Sequence, residues 1–137
     1  MKINYDDLEN AYHFVSSDQK FMNSAILCRE TGKIYYISGM GDSDELPDDV
    51  DDPDRYIGIP HKKDLDLGLW LIEDFVAERL PDSIAEVTRI FQHKGAYSRY
   101  KSLLESKGLL DEWYNFENTR TREALMEWCT AQGIEAG

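Results

Sequence analysis

The hydrophobic pattern of this chain changes its period at Pro60, and that change limits the fold more than any other feature. Before Pro60, short runs rich in β-branched and aromatic residues stand between turn residues. After it, apolar residues recur every three or four positions almost to Gly137. The early runs are Ala25–Arg29, Lys33–Ser38 and Tyr56–Ile59, each of strand length. Glu30-Thr31-Gly32 separates the first two, and a three-residue loop with glycine last suits a type I turn closed by a left-handed residue. These two runs therefore read as a β-hairpin. A third strand makes it a sheet that can be stable once one face is covered.

Ahead of the strands, Leu8, Ala11, Tyr12 and Val15 mark a short amphipathic helix with Asn4 as its N-cap. Beyond Pro60, Leu65, Leu69, Ile72, Val76 and Leu80 hold one helical face, broadened by Leu71 and Phe75. The spacing predicts a central helix capped by Asp64, ended by Pro81 and burying Trp70. Ser83-x-x-Glu86 matches a capping box, opening a helix that packs Ile84, Val87, Ile90 and Phe91 inward. Gly95 separates it from a third stripe of Tyr97, Tyr100, Leu103 and Leu104, which Gly108 closes. The last helical region carries Leu110, Trp113, Tyr114 and Phe116, breaks near Asn118-Thr119, and resumes with Leu125, Trp128 and Cys129. Gly133 followed by Ile134 matches a Schellman ending. The expected fold is α+β in a single domain over 1–137. An N-terminal helix and a small three-stranded antiparallel sheet pack against a mostly helical C-terminal half of four to five helices.

Charge narrows the function classes. The 137 residues hold 27 acidic and 15 basic side chains, a net charge of −12. Such a field repels phosphates at long range, which argues against nucleic acid and anionic membranes as partners. No stretch has the ~20 apolar residues of a membrane span and the start has no signal-peptide pattern, so a cytoplasmic protein is expected. Cys28 and Cys129 stand apart among apolar neighbours and read as reduced core thiols.

Eight of the acids fall in the thirteen positions from Asp42 to Asp54, interrupted by Pro47 and Pro53. Such a segment cannot bury itself and is expected to be a mobile loop. As a calcium loop it fails: a register from Asp42 puts Leu46 at position five and Pro47 at six, where a ligand and a glycine are needed. Ordered carboxylates here would imitate nucleic-acid phosphates, but the prolines favour flexibility. His13, His61 and His93 have no zinc spacing, and no nucleophile elbow, phosphate loop or dinucleotide fingerprint occurs. No metal, cofactor or catalytic residue is assigned.

One segment inverts the charge. From Arg89 to Lys107 there are five bases (Arg89, Lys94, Arg99, Lys101, Lys107) and a single acid, Glu105, a local balance of +4. His93, Lys94, Gly95, Arg99 and Lys101 are the candidate ligand-binding residues, gathered at the turn where a helix begins. The competing expectation is that Arg99 and Lys101 are neutralised by the acidic loop or by Glu112 and Glu117, with the tyrosines in the core.

The order of Glu30-Thr31-Gly32 with Ile34-Tyr35-Tyr36-Ile37-Ser38, then Asp52-Pro53-Asp54-Arg55-Tyr56-Ile57-Gly58-Ile59-Pro60, resembles the bacterial uncharacterised protein family 0158 of the UPF series. So do Lys94-Gly95-Ala96-Tyr97-Ser98-Arg99-Tyr100-Lys101, Gly108-Leu109-Leu110 and Trp113-Tyr114. The resemblance spans nearly the whole chain, and it implies a small cytoplasmic bacterial protein without transferring any activity or catalytic residue. The expectation from the residues is a non-enzymatic binding or adaptor domain. Its Lys94–Lys107 region would take an acidic protein partner or a small anionic ligand. The alternative is a small hydrolase or transferase for a phosphorylated or nucleotide substrate. His93 would then be acid or base, and Lys94 and Arg99 would hold the anion.

Overall fold

In the computed structural model, which describes residues 2–39, 41 and 43–137, Asn4 opens the first helix as its position predicts. Its Oδ1 accepts the amides of Asp6 at 2.8 Å and Asp7 at 3.3 Å, satisfying donors that have no partner within the helix. Helix α1 (Tyr5–Ser16) buries Tyr5, Leu8, Ala11, Tyr12 and Val15. A short β1 (Lys2–Ile3) precedes it. The sheet follows as β2 (Ser24–Cys28), β3 (Ile34–Ile37) and β4 (Tyr56–Gly58), antiparallel in the order β3-β2-β4. Gly32 has φ 78°, the left-handed value the hairpin loop requires, and Lys33 O accepts the Cys28 amide at 2.8 Å. Phe14 of α1 packs edge-on against Tyr36 of β3.

The helical part comprises α2 (Leu69–Arg79), a 3-10 turn over Pro81–Ser83, α3 (Ile84–Ile90), α4 (Ala96–Ser106) and α5 (Leu110–Ala131). The chain divides into two units, one made of residues up to Asp66 with Arg122–Gly137, the other of Leu67–Thr121. In the first, β5 (Glu135–Ala136) pairs in parallel with β1 and Ile134 is buried. In the second, Leu71, Ile72, Phe75, Val76, Leu80, Val87, Tyr100, Leu104 and Trp113 form one apolar cluster. Trp113 sits at its centre, with Tyr100 and Phe75 edge-on at 5.2 and 5.4 Å.

Several expectations change. Helix α2 starts at Leu69, because Asp64 does not cap it: its carboxylate accepts the His61 amide and pairs with Lys20. Asp66, at φ 55°, then turns the chain out of helical geometry. Ile72, Val76 and Leu80, with Leu71 and Phe75, are buried as the spacing predicts, but Leu69 and Trp70, in the first turn of the shorter helix, are 51% and 64% exposed. Ser83 makes no capping bond because it ends the 3-10 turn, and Ile84 points outward at 49% exposure. Helix α5 runs unbroken through Asn118 and Thr119, both of which lie on its exposed side. Its ending is the one expected: Gly133 has φ 71° and the Ile134 amide donates to Cys129 O at 2.8 Å.

The acidic segment is also different. Asp42 lies outside the described residues, but from Ser43 the chain is turned and pinned. Asp44 accepts the Tyr36 amide and donates its own amide to Tyr36 O, covering the outer edge of β3. Arg55 reaches Asp49 at 2.9 Å, Glu30 at 3.6 Å and Asp52 at 3.9 Å, while Tyr56 Oη donates to Asp49. The hydrogen bonds from Tyr56 and Arg55 hold the Asp49 carboxyl below its usual range, and Asp49 in turn pushes the Tyr56 phenol up to about 12. The prolines punctuate a series of tight turns rather than a free loop.

Candidate functional site

The inverted charge lies wholly in the second unit, where α3 gives way to α4. The Phe91, Gln92 and His93 amides donate to Val87, Arg89 and Ile90 carbonyls, and Gly95, at φ 72°, redirects the chain into α4. A Cβ at Gly95 would meet nothing within 4 Å, so the glycine answers to backbone conformation and not to crowding. Gly95 offers no side-chain cap. The first-turn amides of Ala96, Tyr97 and Ser98 have no carbonyl partner within the helix, and they add positive potential to that of Lys94 and Arg99.

His93, Lys94 and Arg99 are exposed and Lys101 is half-buried. Among the described residues, no carboxylate lies within 4.0 Å of Arg89, His93, Lys94, Arg99, Lys101 or Lys107. The same unit pairs its other arginines, Arg79 with Glu112 and Arg120 with Asp74. The acids expected to neutralise the patch are thus engaged elsewhere: Glu112 by Arg79, and Glu117 by the Tyr97 hydroxyl, which donates to it at 3.0 Å. Tyr97 also accepts from Trp113 Nε1 at 3.2 Å. Burial, with the Glu117 charge adding to it, pushes the Tyr97 phenol up to about 12 against the opposing Trp113 bond.

Arg99 and Lys101 leave α4 on opposite flanks of its buried stripe. The Lys101 ammonium stands 4.8 Å from the Tyr97 ring centroid and 5.9 Å from that of Tyr114. These tyrosines, each 39% exposed, carry a cation between them at the surface, which the expectation of core tyrosines missed. The four-residue step from Tyr97 to Lys101 was the available signal. The core expectation holds for Tyr100, which is fully buried.

The His93 ring has no hydrogen-bonded carboxylate among the described residues, and those residues contain no group of three His, Cys, Asp or Glu able to hold a metal ion. Cys28 and Cys129 are free, buried thiols. A hydrogen bond with Thr31 draws the first below the usual thiol range, whereas burial pushes the second up. No helix among the described residues is long and apolar enough to cross a membrane.

The family model described as an uncharacterised protein family, UPF0158, matches residues 4–136. The chain belongs to that family. A relative in UPF0158, protein PA5073 of Pseudomonas aeruginosa, is 30% identical over 109 residues, which cover 77% of this chain and 70% of the relative. No solved structure matches the chain significantly. UPF0158 membership brings a family description and no reaction, so the chemistry of the patch rests on the geometry above.

Proposed function

We propose that this protein is a non-enzymatic binding domain, and that the cationic end of its second unit, around Lys94, Gly95, Arg99 and Lys101, docks an acidic partner surface. The observation that carries this reading is that the five cations between Arg89 and Lys107 have no carboxylate partner among the described residues, in a chain of net charge −12 whose neighbouring arginines are paired. At physiological ionic strength the screening length is about 8 Å, so carboxylates farther away oppose an incoming anion only weakly. Exposed cations of this kind govern encounter and orientation more than affinity. The two tyrosines flanking Lys101 supply apolar contact area beside the charge. The exposed position of His93, without a carboxylate to orient it among the described residues, gives the hydrolase or transferase alternative no support.

A labelled octaglutamate peptide, followed by fluorescence anisotropy, tests the reading. Binding should be measurable at about 50 mM salt, weaken steeply at about 300 mM, and fall at least tenfold in a Lys94→Glu, Arg99→Glu, Lys101→Glu variant with an unchanged circular dichroism spectrum. Equal binding by the folded variant removes the patch from the argument.

A further inference from the structure

The three-stranded sheet of the first unit has two outer edges, and the chain treats them differently. On β3 the edge is closed. The Asp44 carboxylate accepts the Tyr36 amide, the Asp44 amide donates to Tyr36 O, and the Ser38 amide donates to Ser43 Oγ. On β4 the edge is open. The Arg29 amide donates to Arg55 O at 2.7 Å and the Ile59 amide to Ala25 O at 2.8 Å, with Leu27 opposite Ile57 between them. Bonds alternate along an antiparallel ladder, so Arg55, Ile57 and Ile59 direct their backbone groups to β2, while Tyr56 and Gly58 turn theirs away from it. The Tyr56 amide is taken up by Asp52 O at 3.0 Å. The Tyr56 carbonyl, and both the amide and the carbonyl of Gly58, have no hydrogen-bond partner among the described residues. Gly58 is exposed, and a Cβ there would meet nothing within 4 Å.

We infer that the outer edge of β4 is a docking site for an extended, basic segment of another protein, which joins the sheet as a fourth strand. Laid antiparallel, the direction of both pairings already in this sheet, the incoming strand exchanges two bonds with Gly58. The amide two residues farther along it then donates to Tyr56 O. With no side chain on Gly58, an apolar residue opposite the glycine can lie across it toward Ile26, its half-buried neighbour in β2.

Charge selects the partner. At the start of β4, Arg55 is outnumbered by the three carboxylates it touches, Glu30, Asp49 and Asp52. Asp51 and Asp54 are exposed, and no cation lies within 4.0 Å of either among the described residues. Beyond Pro60, at the other end, stand the exposed Lys62 and Lys63. An antiparallel strand therefore carries its lysines or arginines after the paired residues, where they approach Asp51 and Asp54. A net charge of −12 on every copy opposes edge-to-edge pairing of the protein with itself, so carboxylates that attract a basic strand also keep the edge from closing on a second copy. This surface belongs to the first unit and takes cations, so it is independent of the cationic patch in the second.

A fluorescein-labelled peptide, Thr-Val-Thr-Tyr-Thr-Val-Lys-Arg-Lys, probes the edge by fluorescence anisotropy at about 50 mM salt, where surface charges are weakly screened. Binding should be saturable. N-methylation of the peptide's tyrosine and second valine amides, which would donate to Gly58 O and Tyr56 O, should weaken it by about tenfold or more. Replacing its three basic residues with serine should do the same. Gly58→Pro removes the outward donor while leaving the ladder to β2 intact, and should also weaken binding by about tenfold or more. On saturation the wild-type Gly58 amide should gain about tenfold or greater protection from hydrogen exchange. Absence of saturable binding overturns the inference, as does equal binding of the N-methylated or the serine peptide, or an unprotected Gly58 amide in the complex. Self-association in sedimentation velocity that Gly58→Pro abolishes would assign the edge to a second copy and overturn it too. Should Gly58→Pro fail to fold, the N-methylated peptide against the wild type decides.

Discussion

Removing a polar group from the second unit should make the protein more stable. The Tyr100 hydroxyl is buried without a hydrogen-bond partner among the described residues, and its residue is fully shielded from solvent. Burial holds that phenol protonated, well above its usual range. An unsatisfied buried hydroxyl costs about 1–3 kcal/mol. The contacts of the ring with Trp113 at 5.2 Å and Phe91 at 5.7 Å do not involve the oxygen. Tyr100→Phe therefore keeps the packing and discards the penalty, for an expected gain of about 1–2 kcal/mol once the small void left behind is charged against it. In a chain of this size that raises the melting temperature by roughly 3–8 °C. Urea unfolding at pH 7 measures it, with Tyr97→Phe as the opposite case. That change removes the acceptor of Trp113 Nε1 and the donor to Glu117, and should cost about 1–3 kcal/mol. If Tyr100→Phe loses 1 kcal/mol or more, the hydroxyl has a partner and the reasoning fails.

Gly39→Ala should destabilise by about 2–4 kcal/mol, since the new methyl would collide with the Met22 backbone and neither strand-side segment can yield cheaply; thermal unfolding checks this, and a neutral result would show that the loop relaxes freely. Acidification supplies a second test. Asp64 is held below its unfolded value of 3.8 by the hydrogen bond from Lys20, and Asp49 by those from Tyr56 and Arg55. A depressed carboxyl stabilises the fold at pH values above its unfolded pKa, and that contribution disappears as pH drops through the folded one. The urea midpoint should accordingly decline below about pH 4, and less so in an Asp49→Asn, Asp64→Asn variant.

Much of the architecture was legible because local chemistry and long-range packing agreed. Asn4, the Glu30-Thr31-Gly32 loop, Gly95, Gly108 and the Gly133-Ile134 ending each carry a conformational demand that their neighbours do not contest. The errors fall where one residue had two suitors. Asp64 has the right type and spacing for a helix cap, but the His61 amide and Lys20 claim it first. The run from Leu65 through Leu69 keeps helical periodicity across a segment that Asp66 turns aside, and Trp70, expected in the core because it lies in that helix, is exposed on the side away from Ile72 and Val76. The acidic segment misled through composition: charge density spoke for disorder, whereas a single arginine, Arg55, gathers two of its carboxylates, Asp49 and Asp52, together with Glu30 of the hairpin loop. The cationic island was visible from charge alone. That its tyrosines flank Lys101, and that Glu112 and Glu117 are occupied, depends on partners distant in sequence and could not be read from spacing.

The path of the chain has a consequence for synthesis. Because β1 finds its pairing strand only at Glu135–Ala136, and because Leu125, Cys129 and Ile134 belong to the same unit as β1, that unit cannot be finished until Glu135–Ala136 have been made. Leu67–Thr121, by contrast, is available in full while its host is still waiting. The first-made portion therefore cannot be completed first: it must wait some seventy residues of elongation for its last strand, or on the order of 4–14 s at 5–20 residues per second. Its dense carboxylates are well suited to that interval, since mutual repulsion between neighbouring unfinished chains opposes their clumping.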